Sequence, residues 1–255
     1  MSTSTIRKMR LAVVFVMGIV LFLSSLAIPA HAADMSTTKL IDKIVRENPG
    51  STKEMVLHSA EEIARKTGKS QKEVLEQFLD EIHQNDLSRK KTLAEVGVTE
   101  LRSSQGADRQ LCRSYYKGDM FLSPASTSFV SHGHIGIYGD KDWIVEAPGF
   151  FAKSRWAWHY NTFVGKGTVL METTLTQAQQ NAAADYAYNH LLGYPYNLAF
   201  WDSKGLNPKE LNCSQLVWLA YKKGAGVDLD GNGGAGVYPY DIKDSKYTKV
   251  NWVIE

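Results

Sequence analysis

Leu211-Asn212-Cys213-Ser214-Gln215-Leu216-Val217-Trp218-Leu219-Ala220-Tyr221 is the stretch whose reading decides the fold. Leu216, Val217, Ala220 and Tyr221 stand three, four, seven and eight residues beyond Cys213, a spacing that puts all five on one face of a helix. Cys213 is therefore expected in the first turn, on the packed side. Asn212 is a good N-cap, and the unpaired amides of a first turn form the positive end of the helix dipole, which favours a thiolate. Two readings stay open from this segment alone: a nucleophile, or a small buried apolar side chain.

The chain around this stretch narrows the choice. Residues 1–32 read as an export signal, with Arg7, Lys8 and Arg10 ahead of an uncharged run from Leu11 to Ala30 and a small-x-small cleavage site at Ala30-His31-Ala32. Ala33 is the expected mature start, secreted or wall-associated, with no stable membrane span after cleavage. The formal charge of +2 loses those three cations and becomes about −1 in the mature chain, so no basic field points to nucleic acid. Cys112 and Cys213 are the two cysteines. A disulfide between them would consume the proposed nucleophile, so the two readings exclude each other.

Residues 33–105 form a charged, aromatic-poor segment punctuated by helix signals. Ser51 with Glu54 and Ser70 with Glu73 match capping boxes, while Pro49-Gly50 and Gly68 mark breaks. Apolar stripes at Leu40, Ile41, Ile44, Val45 and at Val74, Leu75, Phe78, Leu79, Ile82 predict three or four short amphipathic helices. Such a bundle has a thin core of its own, so it is expected to lean on the following domain. The polar run Arg102-Ser103-Ser104-Gln105-Gly106 reads as a linker.

Beyond it, residues 106–255 turn rich in glycine, aromatics and β-branched side chains, the mark of a sheet. Gly118 to Leu122 suggests a strand. His132-Gly133-His134-Ile135-Gly136-Ile137-Tyr138 and Asp142-Trp143-Ile144-Val145-Glu146-Ala147 read as a hairpin around Gly139-Asp140-Lys141. With that loop His134 faces Glu146, Ile135 faces Val145 and Ile137 faces Trp143, leaving one side apolar and the other with an imidazole beside a carboxylate. A carboxylate next to histidine fixes its tautomer and stabilises the imidazolium, as a base serving a thiol requires. His132 alternates onto the same face but outside the pairing. A His-x-His zinc site lacks a third ligand at recognisable spacing, so no metal and no cofactor is expected. The aromatic run from Phe150 to Tyr160 is expected to be mainly sheet core, with one or two rings at a cleft.

Thr176 and Gln179 cap an alanine-rich helix ending near Gly193, and Gly193-Tyr194-Pro195-Tyr196 then leads towards Cys213. The tail Asp228-x-Asp230-x-Asn232-Gly233 has calcium-loop spacing, but Pro239 stands where an EF-hand needs glutamate, so a cleft-shaping loop is the better reading.

Gly193-x-Pro195-Tyr196, followed by Asn212-Cys213-Ser214-x-Leu216-Val217, resembles the signature of NlpC-type cell-wall hydrolases, and His134-x-Gly136-Ile137-Tyr138 is similar to their histidine strand. Here the histidine strand comes first, which resembles the circularly permuted, YiiX-like branch of papain-like amidases. The resemblance spans residues 112–255. It implies an α+β, permuted papain-like domain with an antiparallel sheet on the Cys helix. The implied triad is Cys213, His134 and Glu146, with Tyr196 near the oxyanion; His132, Asn212 and Ser214, which flank these residues in the sequence, are candidate substrate-side residues. Asn212 and Gln215 replace the usual Asp and Gly. The implied substrate is an amide in a peptide or in peptidoglycan; a lipid amide and a silent binding module are the alternatives.

Overall fold

The computed structural model describes residues 35–98, 107–124 and 132–255. The expected leader and the expected linker lie outside them. Three helices come first: α1 (Met35–Glu47), α2 (Lys53–Thr67) and α3 (Gln71–Glu95). Ser70 and Glu73 form the anticipated capping box on α3. At α2 the cap is Thr52, accepting from the Met55 amide, because Ser51 instead donates to the Asn48 carbonyl at the end of the preceding turn. Among the described residues no helix is long and apolar enough to cross a membrane.

Among the described residues eight strands follow, β1 (Arg109–Gln110), β2 (Met120–Ser123), β3 (His134–Asp140), β4 (Trp143–Glu146), β5 (Arg155–Trp158), β6 (Phe163–Val164), β7 (Thr168–Thr173) and β8 (Thr248–Ile254), with α4 (Gln177–His190), α5 (Cys213–Leu219) and α6 (Pro239–Lys243) before the last. Six strands make one antiparallel sheet in the order β5-β4-β3-β2-β7-β8, and β1 pairs with β6 as a separate ribbon. The protein is thus α+β with an antiparallel sheet.

One sheet face presents Met120, Leu122, Ile135, Ile137, Val145, Val169 and Met171 to a core shared with α4, α5 and Leu211. The same core takes in Ile41, Ile44, Val74, Leu75 and Phe78 of the first three helices, with the Phe78 ring 6.1 Å from Trp201. The helical segment therefore leans on the sheet domain, as its thin stripes require. The other face carries Phe121, Tyr138, Ile144 and Leu170 beneath Leu111 and Val164 of the small ribbon.

The hairpin register corrects the expectation. Ile137 faces Val145 and Tyr138 faces Ile144, two positions from the anticipated pairing, and the loop is the two residues between Asp140 and Trp143. A two-residue loop alone would put His134 and Glu146 on opposite faces. The irregularity between Tyr138 and Asp140 supplies the one extra residue that restores parity. Gly136, not His134, therefore stands across from Glu146, and His134 reaches the carboxylate diagonally over a residue with no side chain. A Cβ at Gly136 would sit 2.5 Å from the Phe121 ring.

The aromatic run is a second correction. Phe150, Phe151, Trp158 and Tyr160 are exposed rather than core. They fall on the edge strand β5 and its flanking loops, while Trp156 of the same strand is half-buried against Trp143 and Tyr188.

Candidate active site

Cys213 opens α5, where Asn212 is the N-cap and its Oδ1 accepts from the Gln215 amide at 2.7 Å. The helix packs along β3, the strand that begins with His134. His134 hydrogen-bonds through Nε2 to Glu146 Oε2 at 2.7 Å, and its ring also interacts with the Cys213 side chain. Nε2 being taken by the carboxylate, Nδ1 is the nitrogen left for the sulfur. All three residues are buried, with Cys213 1% exposed, Glu146 1% and His134 5%. Both cysteines are free thiols, so no Cys112 to Cys213 bond removes the sulfur from use.

Burial by itself would push His134 down, but the bonds to Cys213 and Glu146 and the charge of Glu146 outweigh it and raise the ring to about 10. Desolvation likewise works against the Glu146 anion, yet the hydrogen bond and charge of His134, with Arg155 behind them, hold its carboxyl below the usual range. An imidazolium between a carboxylate and a sulfur is the form these groups favour at neutral pH.

Arg155 completes the arrangement. It sits directly across from Glu146 in the β4–β5 pairing and donates to Oε1 through Nε at 2.9 Å and Nη2 at 2.7 Å, leaving Oε2 to His134. A cavity of about 370 Å3 beside the pair is lined by His134, Glu146, Arg155, Phe151, Thr162 and Phe163, among others.

Tyr196, 9% exposed, interacts with the Cys213 side chain. Burial first, and then the charge and hydrogen bond of the sulfur, push its phenol well above the ordinary value, so it stays a donor. Ser214 lies inward: its hydroxyl donates to the Val237 carbonyl at 2.6 Å and sits 3.1 Å from Asn212 Oδ1. Asn212 leaves its Nδ2 buried without a hydrogen-bond partner. Their placement makes Ser214 a buttress of the helix start.

His132 is not brought to the sulfur. Gly133 at φ +87° breaks the alternation assumed for the strand, and the His132 ring meets Asn48 Oδ1 and the rings of Phe200 and Tyr238. Burial pushes it down to about 4, so it is a neutral packing residue. The calcium-like loop also has a plain filling: Lys204 Nζ donates to Asp230 Oδ2 and the Gly234 carbonyl, two oxygens that a cation would need. Among the described residues no group of three or more His, Cys, Asp or Glu side chains is placed to hold a metal ion.

Comparison with known proteins adds one decisive relative. The chain is 32% identical over 221 residues to the uncharacterized protein YycO of Bacillus subtilis (strain 168), covering 86% of this chain and 88% of that one. This chain belongs to the YycO family. No family model matches it. Among solved structures it resembles the metalloprotein yiiX from Escherichia coli O157:H7 at a TM-score of 0.40 and 16% identity, over 54% of this chain and 97% of that one. At that level the likeness decides neither fold nor site.

In this YycO-family chain two features escaped the sequence. Arg155 lay inside an aromatic run and carried no motif; only a correct β4–β5 register would have set it across from Glu146. Asn48 and Asn85 lie among the charged helices, 84 and 47 residues before His132, which they contact. No local pattern announces such a pairing.

Proposed function

We propose that this protein is an exported cysteine hydrolase of the permuted papain-like, NlpC-related kind, cleaving an amide in a wall peptide or another extracellular peptide. The observation that carries the reading is His134, hydrogen-bonded to Glu146 on one side and interacting with Cys213 on the other. A charged imidazole beside a sulfur is the arrangement of an activated thiol nucleophile.

In the mechanism, Cys213 Sγ attacks the acyl carbon, and the oxyanion meets the Tyr196 hydroxyl and the Cys213 amide at the start of α5, the Gln215 amide being held by the Asn212 cap. The C–N bond breaks as His134 Nδ1 passes its proton to the leaving amine. Water then gives its proton back to His134 and adds to the thioester, and the C–S bond breaks to free the acid and the thiol. Glu146 keeps the ring oriented and charged throughout, and Arg155 keeps Glu146 turned towards it. The cavity reaches His134 and Glu146 but not Cys213, whose sulfur is buried, so substrate must displace part of the wall between them to meet the thiol.

Phe151, 85% exposed at that cavity, favours a second reading in which the acyl group is a fatty chain. Incubation of the mature protein with purified wall fragments and with lipid amides separates the two, because the mass of a trapped Cys213 adduct reports peptide or fatty acid. Turnover of neither substrate, with no adduct on Cys213, would overturn the proposal.

A further inference from the structure

The helical segment grips both halves of the site, and one residue of α3 holds the two at once. Asn85, 1% exposed, donates from Nδ2 to the His132 carbonyl at 3.2 Å and accepts at Oδ1 from the Tyr240 amide at 3.2 Å. His132 is two residues before His134. One turn earlier on the same helix face, Glu81 accepts from the Ala235 amide at 2.8 Å and the Gly236 amide at 2.9 Å. The two grips bracket Val237, whose carbonyl receives the Ser214 hydroxyl beside Cys213. Asn48 adds a further hold on the His132 ring.

We infer that Asn85 is a positioning residue for the catalytic pair, tying the entry to the His134 strand and the loop behind Cys213 to one helix of the N-terminal segment. An asparagine is suited to the task because its amide has a donor and an acceptor on one rigid plane; a carboxylate could not donate to a carbonyl, and an apolar side chain could do neither. Both groups it satisfies are main-chain atoms without a partner in regular structure, the His132 carbonyl just before β3 and the Tyr240 amide in the first turn of α6, where an amide has no intrahelical acceptor. The N-terminal helices are on this account part of the active-site frame. The inference rests on the proposed roles of His134 and Cys213.

Its test reads His134 directly. The imidazole nitrogens are followed by NMR over a pH titration in the wild-type mature protein, in Asn85→Leu and in Val74→Ala, the last removing core volume elsewhere on α3. Asn85→Leu is expected to lower the His134 midpoint by about one pH unit or more, since a looser strand entry weakens the bonds to Cys213 and Glu146. Val74→Ala is expected to lower the Tm with the midpoint unchanged. Should Asn85→Leu not fold, Asn85→Ser, whose short hydroxyl cannot span both partners, takes its place with the same expected shift. A midpoint in the Asn85 variant equal to that in Val74→Ala would overturn the inference. Alkylation of Cys213 by iodoacetamide, measured alongside, reports on the proposed function separately: an inert Cys213 in wild type counts against that reading while the titration still decides the role of Asn85.

Discussion

His132 and His134 are separated by one glycine and are both buried, yet the first is pushed down to about 4 and the second raised to about 10. Desolvation is the largest influence on each and acts in the same direction. The partners make the difference. His132 meets an amide oxygen and two aromatic rings, with Asp86 and Arg89 acting on it in opposite senses. His134 meets a carboxylate and a sulfur. Burial alone thus makes a neutral structural histidine, and burial with an anion on one nitrogen and a thiol on the other makes an acid–base group.

The contrast breaks most visibly if the sulfur is removed. Cys213→Ala is expected to abolish turnover, a fall of at least about 1,000-fold in kcat/KM, and a stopped assay with any accepted amide checks it. Glu146→Gln comes next. The amide keeps an oxygen for the His134 ring but not the charge, so kcat should fall about 100-fold and the His134 midpoint should drop towards that of an ordinary imidazole, followed by NMR. Unchanged kcat would remove Glu146 from the mechanism.

The same two histidines predict a dome of stability against pH. Because His132 titrates lower in the folded chain than the usual 6.5, its contribution is present above about 6.5 and is lost as pH falls through about 4. His134 titrates higher when folded, so its contribution is full below about 6.5 and is lost as pH rises through about 10. Urea unfolding across this range should show both limbs, with His132→Gln flattening the acid one and His134→Gln the alkaline one. A single limb, or the reverse assignment, would contradict the contrast drawn here.

The smallest effect is expected at Arg155, half-exposed and acting only through Glu146. Arg155→Gln should reduce kcat about three- to tenfold, with Arg155→Lys recovering part because a lysine supplies the charge without the paired donors. Equal kcat in all three proteins would make Arg155 a surface residue with no share in the site.

How much of this was legible depended on the range of the interaction. The Asn212 cap, the packed face of α5 and the Ser70 and Thr176 capping boxes are local and follow from spacing. The meeting of His134 and Glu146 was legible through alternation, although the register was not, because the extra residue near Gly139 leaves no mark beyond the glycine. His132 was misplaced for the same reason: a single residue at positive φ reverses a face. Arg155 depends on pairing between two strands, and Asn48 and Asn85 on packing between segments far apart in the chain, which periodicity does not encode. The calcium-like spacing gave no sign of Lys204, which binds the Asp230 carboxylate and the Gly234 carbonyl from outside the motif.

The central claim is that Cys213 is a nucleophile made reactive by His134, and the free Cys112 provides an internal reference, its thiol pushed up by burial. Native protein treated briefly with iodoacetamide at pH 7 and mapped by peptide mass should carry label on Cys213 well before Cys112, and His134→Ala should erase that order. A Cys213 that stays unlabelled until the chain is denatured, or that reacts no faster than Cys112 with His134 in place, would contradict the account.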